Sequence, residues 1–116
     1  MIKYSCKKNV KDYPVLDIAD ERYPGLGEAL AININDLTDA VKRVKEVKKG
    51  EVKEVTFGSQ AAYIICNAKS ERIPDGPLAQ IYQWEGEAVE VPIDELLILM
   101  EDWCEYQIAN QKDNLG

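Results

Sequence analysis

Histidine is absent from this chain of 116 residues. Its absence excludes Ser-His-Asp and Cys-His nucleophilic sites, imidazole acid–base catalysis and metal motifs built on histidine. The chain also has neither a Gly-x-x-x-x-Gly-Lys-Ser/Thr loop nor a Gly-x-Gly-x-x-Gly motif for phosphate binding. Neighbouring carboxylates such as Glu101 and Asp102 diverge by about 100 degrees on a helix, so they do not converge on a substrate. We therefore expect a protein that is not an enzyme and that uses no cofactor or metal.

Cysteine and long apolar runs are also scarce. The three cysteines lie far apart with no Cys-x-x-Cys pair, which disfavours a disulfide framework and a zinc site. Residues 1–8 are followed by no apolar run typical of a secretory signal, and no stretch approaches the roughly 18 apolar residues of a membrane span. With 46% hydrophobic and 30% charged residues, the sequence predicts one globular cytoplasmic domain over residues 1–116 with a frayed tail at 110–116.

Positive charge is missing from residues 73–111. Residues 1–72 hold 13 Lys and Arg against 11 Asp and Glu, whereas residues 73–111 hold no Lys or Arg and nine acids. The net charge of −7 is therefore local, which disfavours a nucleic-acid or anionic-membrane partner and favours a basic protein partner. The alternative is that the acidic surface only keeps a small protein soluble.

Two segments have the periodicity of amphipathic helices. The first covers 36–49: an apolar stripe from Leu37 to Val47 follows a capping residue at Asn35 or Asp36, and Gly50 ends it. The second covers 93–109 after Pro92, with an apolar stripe that includes Met100 and Trp103 and that we expect to pack in the core. Ile98 and Leu99 widen this stripe and could mark a second contact surface.

Strand patterns fill most of the remaining chain. The run 61–68 is apolar enough for a strand covered on both faces, and 52–57, 78–84 and 88–91 alternate with a period of two. Together they predict an antiparallel meander of about four strands. Residues 2–6 predict an N-terminal edge strand and residues 15–18 a short one, while the alternation at 28–34 favours a further strand. The predicted fold class is α+β, with a mostly antiparallel sheet of four to six strands and two main helices packed on it.

The candidate interface combines aromatic residues with the acidic block. Tyr82 and Trp84 lie next to the acids of the 84–90 turn, and aromatic residues beside charges are usual anchors of a tight protein interface. Period-two alternation could equally place Trp84 in the core. The predicted partner-binding residues are Tyr82, Trp84, Glu85, Glu87, Glu90, Asp94, Glu101, Asp102 and Glu105.

Four segments carry a family resemblance. They are Asp-Leu-Thr-Asp-Ala-Val-Lys-Arg-Val (36–44), Val-Thr-Phe-Gly-Ser (55–59), Tyr-Ile-Ile-Cys-Asn (63–67), and Val-Glu-Val-Pro-Ile-Asp-Glu-Leu-Leu (89–97) leading to Glu-Asp-Trp (101–103). In this layout, over roughly 28–104, the chain resembles the small α+β immunity proteins of bacterial contact-dependent growth inhibition and related polymorphic toxin systems. The resemblance implies a cytoplasmic monomer that forms a one-to-one complex with the C-terminal domain of a cognate toxin, often a nuclease, and occludes its active site.

Two other functions remain open at the level of sequence. One is a small regulatory or structural subunit that binds a host protein or forms a homodimer through the broad face of the last helix. The other is a hydrolase in which two carboxyl groups, distant in sequence, meet across the fold.

For the immunity-protein hypothesis, an acidic inhibitor surface would suit a basic nuclease cleft, because its carboxylates would stand where phosphates bind.

Overall fold

Residues 1–110, which the computed structural model describes, form six strands and three helices. In chain order these are β1 (Tyr4–Lys8), β2 (Pro14–Ile18), α1 (Leu26–Ala29), α2 (Ile34–Lys49), β3 (Glu54–Gly58), β4 (Ala62–Asn67), β5 (Leu78–Gln83), β6 (Val89–Val91) and α3 (Ile93–Ala109). The last four strands form an antiparallel meander in the order β3-β4-β5-β6, whereas β1 and β2 form a separate antiparallel pair. The predicted α+β class is confirmed, with four strands in the main sheet.

Helix α2 forms as predicted but begins earlier. The side chain of Asn33 accepts a hydrogen bond from the backbone N–H of Asp36 at 2.9 Å, so Asn33 is the cap and the prediction of Asn35 or Asp36 was wrong. The helix ends at Gly50, whose φ of 79° lies in the left-handed region that glycine favours. Leu37, Ala40, Val44 and Val47 of the stripe are buried, and Val41 is half-buried.

The predicted strand at 28–34 was wrong. Residues 26–29 form the short helix α1, which follows Gly25 in the left-handed conformation, and the chain then links directly to α2. Leu26, Ala29 and Leu30 are buried at the i, i+3, i+4 spacing of a helix. Gly25 and Gly27 interrupt the short helical pattern of this segment. The alternation of side chains at 28–34 therefore dominates, and it predicts a strand.

The central strand β4 is covered on one face only, contrary to the prediction of burial on both. Ala62, Ile64 and Cys66 are buried, but Tyr63 is 41% exposed and Ile65 is half-buried. The reason is that α1 and α2 contact the sheet from the same side, and their buried residues join the core with these three strand positions. Within residues 1–110, no helix packs on the other face of the sheet.

Helix α3 is buried along its apolar stripe as predicted, although its main contacts are not with the four-strand sheet. It packs against α2 and contacts both strands of the β1–β2 pair. Trp103 is buried, and its Nε1–H donates to the carbonyl oxygen of Leu30 at 2.8 Å; one turn later Gln107 Nε2 donates to the carbonyl of Ile32 at 3.3 Å. These two bonds fix the link between α1 and α2.

The two residues that widen the apolar stripe of α3 have different settings. Leu99 is fully buried, whereas Ile98 is 45% exposed. The three cysteines are free thiols: Cys66 is buried, which raises its pKa to about 12, and Cys6 and Cys104 are half-buried. No helix within residues 1–110 combines the length and apolarity needed to cross a membrane. The predicted frayed tail lies outside the described residues apart from Asn110, whose side chain bonds the carbonyl of Tyr106 at 3.0 Å.

Candidate functional site

The helix-free face of the meander, called here the open face, carries three cross-strand rows of residues. Strand register places Glu54, Asn67 and Leu78 in one row, Thr56, Ile65, Gln80 and Glu90 in the next, and Gly58, Tyr63 and Tyr82 in the third. All of these positions are exposed or half-buried, whereas the alternate positions of β4 and β5 are buried beneath the helices. The open face is therefore a polar and aromatic surface available to a partner.

An aromatic patch made of Tyr63, Tyr82 and Trp84 occupies one end of the open face. Tyr63 and Tyr82 are direct cross-strand partners, and their rings stack with centroids 5.2 Å apart and planes 6° apart. Trp84 is 85% exposed, and its indole N–H donates to the backbone carbonyl of Gln60 at 2.8 Å, which holds the ring against the β3–β4 turn. A depression of about 380 Å³ separates Trp84 from Tyr63. The structure thus places Trp84 on the surface rather than in the core.

The carboxylates of the β5–β6 loop stand beside this patch. Glu85 and Glu87 lie in the loop itself, and Glu90 lies on β6 opposite Gln80 of the open face. All three are exposed, and none forms an ion pair with a cation of residues 1–110. Carboxylates that form no ion pair within residues 1–110 produce a local negative potential next to the exposed aromatic rings.

The acids of α3 have a different setting. Lys48 pairs with Asp94, and Lys45 Nζ lies 3.1 Å from Glu101 Oε2, so both carboxylates join α3 to α2. Asp102 accepts a hydrogen bond from the Tyr4 hydroxyl. Burial, followed by this bond, raises the pKa of the Tyr4 phenol to about 12. Glu105 is exposed. These four acids belong to the helix layer, on the side of the sheet away from the open face.

The predicted site residues therefore divide into two groups. Tyr82, Trp84, Glu85, Glu87 and Glu90 come together around the open face, whereas Asp94, Glu101, Asp102 and Glu105 do not join them. Sequence reasoning missed Tyr63, because its position in the apolar run 61–68 indicated burial. The alternation of small or apolar residues at 62, 64 and 66 was the available signal that Tyr63 points to the other face.

No group of three or more Cys, Asp and Glu side chains in residues 1–110 is placed to hold a metal ion. The open face thus offers contact surface, charge and aromatic rings rather than reacting groups held together in a cavity. The chain matches no protein-family model, no curated protein and no solved structure.

Proposed function

We propose that this chain is an immunity protein that binds a basic bacterial toxin domain through the open face and neutralises it. The observation that carries the proposal is Trp84, which is 85% exposed beside three carboxylates without ion-pair partners among the described residues. The sequence resemblance to small α+β immunity proteins agrees with this chemistry. In this proposal the chain works in the cytoplasm as a monomer in a one-to-one complex with the C-terminal domain of its toxin.

The aromatic patch supplies the affinity. Trp and Tyr are enriched among interface residues whose truncation costs 2 kcal/mol or more, because a large ring is desolvated with little loss of side-chain entropy. The Tyr63–Tyr82 stack is already formed, with the two rings 5.2 Å apart, so these side chains lose little further freedom on binding.

The loop carboxylates supply the rate of encounter and the choice of partner. A cleft that binds nucleic acid is lined by Lys and Arg, and carboxylates presented by an inhibitor can occupy the positions of phosphates there. Glu85, Glu87 and Glu90 are free to do so, since their charges are not engaged within residues 1–110. Occlusion of the cleft needs no chemical step, which is consistent with the nature of the open face.

The α3 acids take a structural part in this proposal. Asp94 and Glu101 each pair with a lysine of α2, and a partner that recruited them would first have to break those pairs. Their reversal to lysine should weaken the packing of α3 on α2 rather than the contact with a toxin. The proposed interface is therefore Tyr63, Tyr82, Trp84, Glu85, Glu87 and Glu90.

The test is a binding measurement with the toxin domain encoded by the gene immediately upstream. The variant is the triple charge reversal Glu85→Lys, Glu87→Lys and Glu90→Lys. We expect its association rate to fall by about ten-fold or more and to lose most of its dependence on salt, because electrostatic steering is removed. Trp84→Ala should chiefly raise the dissociation rate, since it removes a buried contact from the complex.

A matched control separates the local charge from the total charge. Glu21→Lys, Glu28→Lys and Glu51→Lys changes the net charge by the same amount at exposed positions outside the open face. The control should bind within about three-fold of the unmodified protein, because charges far from an interface change the association rate only slightly. Equal binding by the loop triple and the unmodified protein would eliminate the proposed interface, and failure of the unmodified protein to bind or inhibit the toxin domain would eliminate the function.

A further inference from the structure

A second feature of the open face begins at the end away from Trp84 and reaches Tyr82 of the aromatic patch. There the β4–β5 connection turns back on itself, with Ser70 and Ile73 exchanging two backbone hydrogen bonds of 3.1 and 3.0 Å. Together with the neighbouring strands, this segment encloses a groove of about 780 Å³. We call it the basic groove; its polar lining includes Lys53, Asn67, Lys69, Arg72, Gln80 and Tyr82.

The charge of the basic groove is opposite to that of the protein as a whole. Lys53, Lys69 and Arg72 line it against a single carboxylate, Glu54. None of these cations forms an ion pair within residues 1–110, whereas Arg43, Lys45 and Lys48 of α2 are all paired with acids. The three groove cations are thus available to an outside ligand in a chain of net charge −7.

The floor of the groove suits an extended polypeptide. The amide side chains of Asn67 and Gln80 can donate to and accept from a peptide backbone, and Ile73 and Leu78 add an apolar contact within the same lining. The groove is open, and its cations are exposed. A single small anion would meet only solvated charges there, whereas a segment that runs along the groove would meet cations, amides and apolar atoms together.

A long polyanion fits this surface poorly. Glu90 lies in the same cross-strand row as Gln80, and Glu85 and Glu87 follow at the end of β5, so a nucleic-acid strand leaving the groove toward the aromatic patch would meet carboxylates. At physiological ionic strength charges act over about 8 Å, so the groove cations attract a ligand that stays near them. We infer that the basic groove binds a short acidic segment of a protein partner, in extended conformation. This inference goes beyond the proposed function, and its test changes Lys53, Lys69 and Arg72, none of which belongs to the proposed toxin interface.

The experiment selects the ligand without assuming its sequence. Random peptides of roughly eight residues, which reach about 27 Å when extended, are displayed on phage and selected on the full-length protein. The selected peptides should be enriched in Asp and Glu. One of them, labelled with a fluorophore, is then titrated by anisotropy against the unmodified protein and the variant Lys53→Glu, Lys69→Glu, Arg72→Glu.

The variant should bind this peptide at least about ten-fold more weakly, with a loss of salt dependence. The control Lys3→Glu, Lys8→Glu, Lys42→Glu has the same net charge and alters exposed positions away from the groove, so it should bind within about three-fold of the unmodified protein. Circular dichroism and thermal unfolding check that both variants fold. Selection without enrichment in acidic residues, equal weakening in both variants, or tighter binding of a uridine oligonucleotide than of the peptide would each overturn the inference.

Discussion

Replacement of each tryptophan by phenylalanine tests how burial determines the value of a hydrogen bond in this fold. Both indoles donate to a backbone carbonyl at 2.8 Å, Trp103 to Leu30 and Trp84 to Gln60. Trp103 is 4% exposed and Trp84 is 85% exposed. Both substitutions remove an indole N–H whose hydrogen bond has the same length. The difference between the two losses in the free energy of unfolding therefore reports how burial changes the value of the bond.

The magnitude for Trp103→Phe follows from two losses. The Leu30 carbonyl, buried beside α3, is left without the indole donor, which costs about 1–3 kcal/mol. The smaller ring leaves part of the cavity empty, which adds roughly 1 kcal/mol when neighbours relax only in part. We expect a total of about 2–4 kcal/mol. For Trp84→Phe water replaces the donor, so the change should stay within about 0.5 kcal/mol.

Urea unfolding and thermal unfolding, both followed by circular dichroism, measure the two changes. A domain of this size loses about 4 °C in Tm per kcal/mol, so Trp103→Phe should lower Tm by about 8–16 °C and Trp84→Phe by about 2 °C or less. Each variant retains one tryptophan, so fluorescence gives a second readout: the remaining Trp103 should emit as a buried indole and the remaining Trp84 as an exposed one. Equal destabilisation by the two variants would refute the assignment of Trp103 to the core and Trp84 to the surface.

Three further predictions concern single residues. The carboxylate of Asp20 accepts hydrogen bonds from Arg22 and from the backbone N–H of Lys3, which hold its pKa below the ordinary value of 3.8. The stability lost in Asp20→Asn should therefore be constant well above pH 4 and shrink as the pH falls below 3.8; a loss in urea midpoint that does not depend on pH would contradict this. Because the pKa of Tyr4 rises from 10 to about 12, its neutral form stabilises the fold below pH 10, and this contribution disappears as the pH rises toward 12. Alkaline unfolding should be shallower in Tyr4→Phe, and identical profiles would count against the Tyr4 contact. Gly58 has φ 148°, and an added Cβ would lie 2.5 Å from the backbone of Tyr63, so Gly58→Ala should cost at least about 2 kcal/mol by thermal unfolding. Gly50→Ala meets open space at φ 79° and should cost only about 1 kcal/mol; the reverse order would refute the steric reasoning.

The elements most accurately predicted from sequence are those with long, local signals. Helices α2 and α3 and the strands β3 to β6 appear at the predicted places, because their periodicity runs over many residues and Gly50 and Pro92 mark boundaries. The prediction failed at 28–34, where a helix of four residues offers too few positions for its period to be recognised. The cap of α2 was predicted at the wrong residue, because several polar residues near the start of the helix could accept the capping hydrogen bond.

The candidate site was predictable in part. The association of Trp84 with the acids of the β5–β6 loop follows from their adjacency in sequence. The role of the α3 acids could not be predicted, because their partners, Lys45, Lys48 and Tyr4, are distant in sequence; Asp102 lies 98 positions after Tyr4. The basic groove was likewise hidden, since its cations come from separate segments that only the meander brings together.

The sequence by itself determined the kind and order of the main elements and the concentration of negative charge after residue 72, because periodicity, turn residues and composition are properties of neighbouring positions. Only the tertiary structure decided which face of the sheet the helices cover, which carboxylates are already paired and which remain available. The physical reason is that burial and ion pairing depend on contacts between distant segments, and both helices that contact the sheet lie on one side of it, which leaves the other side open.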